Sequence, residues 1–165
     1  REGEQNGKNY WFVSGDEMLA LLQDKAMIET KAVHGNTVYG TSIKAYKTVL
    51  DLGQKPMLRV DIQGILELTN HLPRLRAAFI LPPSFEVWME RLNKRGRMSH
   101  IEKVQRLRSA QAELKTALDS RHFIFIVNND VARTSKELLS GASDGRSQHQ
   151  NRELALTLID SIAHF

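Results

Sequence analysis

The chain has 165 residues, 41% of them hydrophobic and 25% charged, which is enough for one domain with its own core and too few for two ordinary ones. It contains no cysteine, excluding disulfide staples and thiolate metal sites, and no run near the roughly 18 apolar residues of a membrane span, so a soluble cytoplasmic protein is expected. A formal charge of +4 points to an anionic partner, either nucleic acid or a phosphorylated small molecule, and does not choose between them.

The polar, glycine-punctuated opening REGEQNGKNY reads as the middle of a protein and runs into a short strand expected over 10–13. Ser14 and Glu17 then make a capping-box pattern ahead of Met18, Leu19, Leu21 and Leu22, which predicts a helix ending near Asp24. A strand over 27–33, a turn at 34–36 and a second extended piece over 39–41 follow. From Ser42 a helical pattern runs to Leu52 and stops at Gly53, after which 56–62 reads as a largely buried strand and the stretch to Asn70 as a helix. Residues 77–81 make a strand stopped by Pro82 and Pro83, and Ser84 caps a helix with Val87, Trp88 and Leu92 on its inner side. A long helix over 99–117, a strand over 122–127 and a helix over 131–139 come next. The stretch 140–151, SGASDGRSQHQN, has no apolar periodicity and reads as a mobile loop without a functional part, while 152–165 recovers a helical pattern. This alternation of near-continuous apolar strands with helices predicts an α/β fold, a parallel sheet flanked by helices on both faces, in a single domain over 1–165.

Arg91, Arg95, Arg97, Arg106 and Arg108 crowd into one segment, either as a solvated helical face or as an anion site. The choice sharpens when the short motifs are taken together: RxGExNGxxYxF, IE, GNTVYGT, VDIQG, PPS, RLxxRG, RLxxAQxEL and VNND, in that order. From Arg1 to about Leu139 the chain resembles the guanylate kinase family, whose members carry these pieces in the same order. The resemblance implies a P-loop nucleoside monophosphate kinase type of fold, with a small mixed GMP-binding subdomain over 10–41 and a helical lid over 91–110. It implies transfer of the ATP γ-phosphoryl group to GMP, giving GDP and ADP, with Mg2+ shared between enzyme and ATP.

Arg1, Tyr10 and Tyr39 match the family's phosphate cradle, and a cation with two phenolic donors is the chemistry a phosphate dianion needs. Taken alone, Tyr10 reads more readily as a packed core tyrosine. Glu29 matches the residue that reads guanine, since one carboxylate can accept from both N1–H and the exocyclic amine, a pattern adenine does not offer. Thr41 is placed to meet O6 or N7. Asp61 lies at the guanine side by resemblance, or caps the helix that follows it. Arg91, Arg95 and Arg106 match the family's lid arginines, whose charge would gather over the transferring phosphoryl group. Arg97 and Arg108 have no such support. Asn128 resembles the asparagine beside the adenine of ATP, or is a turn residue.

Two features depart from the family pattern. Nothing in the chain matches GxxxxGK[ST], the turn whose amides hold the ATP phosphates, so the chain reads as truncated before Arg1 and is expected to be inactive by itself. Arg59 stands two residues before Asp61, where the family usually has an acidic residue on the magnesium side, and is expected either to pair with Asp61 or to weaken magnesium-dependent turnover. The alternative function is a non-catalytic scaffold module of guanylate-kinase type binding protein or phosphopeptide ligands, against which the retained Glu29, Thr41 and lid arginines weigh. A nucleic-acid-binding reading rests on charge alone and lacks interleaved aromatic residues for stacking. The expected partners are GMP and ATP, with no nucleic acid and no membrane.

Overall fold

The computed structural model describes residues 3–33, 37–72, 74–94, 96, 98–141 and 144–165. They fall into two compact units, 1–64 and 65–165, where the sequence was read as one domain with a subdomain over 10–41.

In the first unit, helix α1 (Gly15–Gln23) begins at the expected capping box: the Ser14 hydroxyl accepts from the Glu17 amide at 3.1 Å and the Glu17 carboxylate accepts from the Ser14 amide at 2.7 Å. Strands β1 (Met27–Val33) and β2 (Thr37–Ser42) pair antiparallel, with Glu29 opposite Thr41, Thr30 opposite Gly40 and Lys31 opposite Tyr39. The turn expected at 34–36 lies outside the described residues. Ser42 closes β2 and caps α2 (Ile43–Asp51), its hydroxyl accepting from Ala45 at 3.0 Å, and Gly53 at φ 69° ends the helix in a conformation glycine adopts without strain.

Two expected strands do not form. Tyr10 makes a single bridge to Asn6, and the next residues are irregular because Asn6 takes the Phe12 amide at 2.7 Å and Gly7 bonds the Tyr10 carbonyl at 2.8 Å. Local polar groups satisfy this backbone, so no neighbouring strand is needed. Residues 56–61 likewise join no ladder among the described residues, and the helix α3 (Ile62–His71) starts directly after them. Before Ile62 no described side chain is fully buried, so turns, caps and the hairpin ladder hold this unit more than a core does.

In the second unit, β3 (Ala77–Leu81) and β4 (Phe123–Val127) pair in parallel, from Ala77 opposite Phe123 to Leu81 opposite Val127. Pro82 and Pro83 stop β3, and the Ser84 hydroxyl accepts from Val87 as α4 (Phe85–Lys94) begins. Helix α5 (His100–Asp119) repeats the capping box with Ser99 and Glu102. Helix α6 (Val131–Ser140) follows Asp130 as its cap. The core lies here: Leu107, Leu114 and Ala117 of α5 and Ala155, Leu158 and Ile162 of α7 (Gly145–Ala163) bury one helical stripe each, around Leu81, Phe125 and Ile126. These residues make the expected α/β fold with a parallel sheet.

Helix α7 corrects the loop expected over 140–151, because it starts at Gly145 with Asp144 as its cap. The polar amides that hid its periodicity are directed at the sheet. Gln148 accepts from the Phe125 amide at 2.8 Å and donates to the Phe125 carbonyl at 3.0 Å, and Asn151 donates to the same carbonyl at 2.7 Å. Side chains thus take the place of a neighbouring strand on that edge of β4.

Candidate functional site

The first unit carries three of the expected acceptor residues, Glu29, Tyr39 and Thr41, on one face of the hairpin. Residues two apart on a strand share a face, and so do directly opposed residues on paired strands, so Glu29, Lys31, Tyr39 and Thr41 stand together. The Thr41 hydroxyl donates to the Glu29 carboxylate at 2.8 Å, which fixes the carboxylate's orientation and leaves its second oxygen to accept. Gly40 permits this register: a Cβ there would stand 2.5 Å from the Glu29 carbonyl oxygen.

One residue pair further along the face, the Tyr39 ring lies 5.4 Å from the Tyr10 ring. Tyr10 is half-buried and Tyr39 is 41% exposed, so neither is a core tyrosine. Arg59 donates to the Tyr10 hydroxyl, and Lys31 forms an ion pair with Asp61. The ion pair expected between Arg59 and Asp61 is therefore replaced by the Arg59–Tyr10 hydrogen bond and the Lys31–Asp61 ion pair. Asp61 also accepts from the Gly64 amide at 2.8 Å, the helix-capping role that the sequence left open. Partial burial pushes the Asp61 carboxyl up, and the Lys31 ammonium together with the Gly64 amide outweigh it, so the group titrates below its ordinary value. Lys31 was missed in the sequence, although strand alternation from Glu29 places it on this face.

In the second unit, Arg91 and Asn128 come together at the carboxyl ends of the parallel strands, where ligands bind in open α/β sheets. The Arg91 guanidinium donates to the Asn128 carbonyl at 2.9 Å, and the Asn128 amide donates to the Leu81 carbonyl at 2.8 Å, continuing the β3–β4 ladder by one bond. A cleft of about 170 Å³ is lined there by Leu81, Pro82, Trp88, Arg91, Leu92 and Asn128. The Asn128 side chain lies 3.4 Å from the Thr134 hydroxyl of α6, which itself donates to the Asp130 carbonyl at 2.7 Å. Arg106 stands exposed on the first half of α5, one turn from Glu102. Arg1 and Arg95 lie outside the described residues.

Among the described residues no helix is long and apolar enough to cross a membrane, and no three acidic, histidine or cysteine side chains cluster as metal ligands. The family model described as guanylate kinase matches residues 1–143. The guanylate kinase of Neisseria meningitidis serogroup A is 39% identical over 139 residues, 84% of this chain and 66% of that protein. That of Alkalilimnicola ehrlichii is 36% identical over 162 residues, 97% of this chain and 78% of that protein. The crystal structure of guanylate kinase from Anaplasma phagocytophilum superposes with a TM-score of 0.63 at 29% identity, covering 93% of this chain and 76% of that one. The chain thus spans just under two thirds of the length of the Neisseria relative, and by these matches it belongs to the guanylate kinase family.

Proposed function

We propose that this chain supplies the GMP-binding part of a guanylate kinase, which transfers the γ-phosphoryl group of ATP to GMP. The observation that carries the reading is the Glu29–Thr41 pair, a carboxylate held by a hydroxyl at 2.8 Å across one face of a hairpin. Guanine presents N1–H and an amine beside O6, so Glu29 accepts from the two donors while the Thr41 region meets the acceptor edge. Adenine would set an acceptor against Glu29 and leave it unpaired, at a cost of about 1–3 kcal/mol. Asp61 borders this face as a further guanine-side residue. Arg1, Tyr10 and Tyr39 take the GMP phosphate, and Arg91, Arg95 and Arg106 supply positive charge for the transferring group.

In the reaction a phosphate oxygen of GMP bonds to the γ-phosphorus of ATP while the bond from that phosphorus to the bridging oxygen of ADP breaks, leaving GDP and ADP. Such a step requires in-line positioning and charge neutralisation more than covalent help. Magnesium bound with ATP would supply neutralisation of phosphate charge. The described residues do not fit a protein site for it: Asp61 is neutralised by Lys31, and Arg59 brings a positive charge to the same stretch. Asn128 borders the adenine of ATP in this reading, and the cytoplasm is its proposed setting.

Titration of the chain with GMP and AMP tests the reading. Tighter binding of GMP is expected, with Glu29→Gln reducing the preference about 5- to 100-fold, since an amide presents a donor where guanine also donates. Equal, weak binding of both nucleotides by the parent chain, together with binding of phosphopeptides, would favour a scaffold module instead.

A further inference from the structure

We propose that Arg59 is a phosphate-binding residue of the acceptor site, adding a guanidinium to the phenols of Tyr10 and Tyr39. The inference rests on the GMP reading above and extends it to a position where the family pattern has an acidic residue. Three observations in the first unit carry it. Arg59 is exposed and reaches away from Asp61, two residues along the chain, to the Tyr10 hydroxyl. Asp61 is occupied by the Lys31 ammonium and the Gly64 amide, so the carboxylate nearest in sequence leaves the Arg59 charge uncancelled. The Tyr10 ring packs 5.4 Å from the Tyr39 ring, so the cation sits on the phenol that is packed against Tyr39.

The chemistry of this arrangement suits a phosphate monoester. A hydroxyl that accepts from a guanidinium keeps its own O–H to donate, so Tyr10 can accept from Arg59 and donate to a phosphate oxygen at once. A guanidinium has more N–H donors than Tyr10 can take, and its planar fork matches two oxygens of one phosphate. An acidic side chain in the same place would repel the dianion. Arg59 therefore exchanges a metal-side carboxylate for a ligand of the acceptor phosphate, and the expected loss of magnesium binding at this position is one half of that exchange.

Calorimetric titration of the full 165-residue chain and its Arg59→Gln and Arg59→Lys variants with GMP, guanosine and AMP tests the assignment, with each GMP titration repeated at two salt concentrations. Arg59→Gln is expected to weaken GMP about tenfold or more and to lower the salt dependence of GMP binding, with guanosine affinity unchanged. Arg59→Lys is expected to restore the salt dependence and part of the affinity, because it keeps the charge and loses the fork. Unchanged GMP affinity in Arg59→Gln overturns the proposal, as does an equal loss for GMP and guanosine, which would mark Arg59 as a support of the unit's fold, and so does a loss for GMP with unchanged salt dependence, which would mark it as a prop for Tyr10. Failure of the GMP reading itself shows separately, as a parent chain that does not distinguish GMP from AMP.

Discussion

Replacing Gln148 by alanine tests whether side chains of α7 stand in for a strand at the edge of β4. Phe125 is fully buried, and its amide has Gln148 as acceptor at 2.8 Å, whereas its carbonyl has two donors, Gln148 at 3.0 Å and Asn151 at 2.7 Å. The two partners are therefore unequal. Gln148→Ala strands a buried N–H and should cost about 1–3 kcal/mol, the desolvation penalty of an unpaired polar group. Asn151→Ala leaves the carbonyl one donor and should cost only the net worth of a hydrogen bond, about 0.5–1.5 kcal/mol. Alanine's higher helix propensity offsets a few tenths of a kcal/mol in each case. Gln148→Glu keeps an acceptor for the amide and should fall between parent and Gln148→Ala. Urea unfolding measures the order through the midpoint at constant slope. A Gln148→Ala variant within 0.5 kcal/mol of the parent, or an Asn151→Ala variant that costs more, would refute the edge-capping account.

Gly40→Ala should destabilise the hairpin by about 1–3 kcal/mol, because the added Cβ meets the Glu29 backbone oxygen at 2.5 Å and the strands must part. The same movement disturbs the Glu29–Thr41 bond, so GMP affinity should fall with stability; a variant that keeps parental affinity would count against the register argument. The lowered titration of Asp61 predicts a pH dependence of definite sign. A carboxyl whose folded pKa lies below its unfolded value contributes stability above the unfolded value and loses it as pH falls through the folded one. The stability gap between parent and Asp61→Asn should thus be full above about pH 5 and close as pH falls below the ordinary aspartate value of 3.8, read from urea midpoints between pH 3 and 7. A gap independent of pH would remove the Lys31–Asp61 pair as its cause.

Local signals were legible in the sequence where the chemistry is itself local. The Ser14 capping box, the stops at Gly53 and Pro82, and the strands at 27–33 and 77–81 each depend on residues within a few positions, and each forms as expected. The candidate site was partly legible for the same reason: strand alternation and antiparallel pairing bring Glu29 and Thr41 onto one face. Strands that need a distant partner behaved differently. Residues 10–13 have strand-like composition, yet Asn6 gives this stretch local bonds instead of a ladder, and 56–61 join no ladder among the described residues. Polar residues at 148 and 151 suggested a loop because their target, the Phe125 backbone, lies more than 20 residues away in sequence.

The sequence by itself determined the family, the capped helices and the residue types able to hold a phosphate and a guanine edge, since these are written in short motifs and near-neighbour bonds. Tertiary structure alone decided the pairings: Lys31 rather than Arg59 with Asp61, Arg59 with Tyr10, and Arg91 with the Asn128 carbonyl. A charge on a long side chain has several partners within reach of its stem, and only the folded backbone determines which of them it meets.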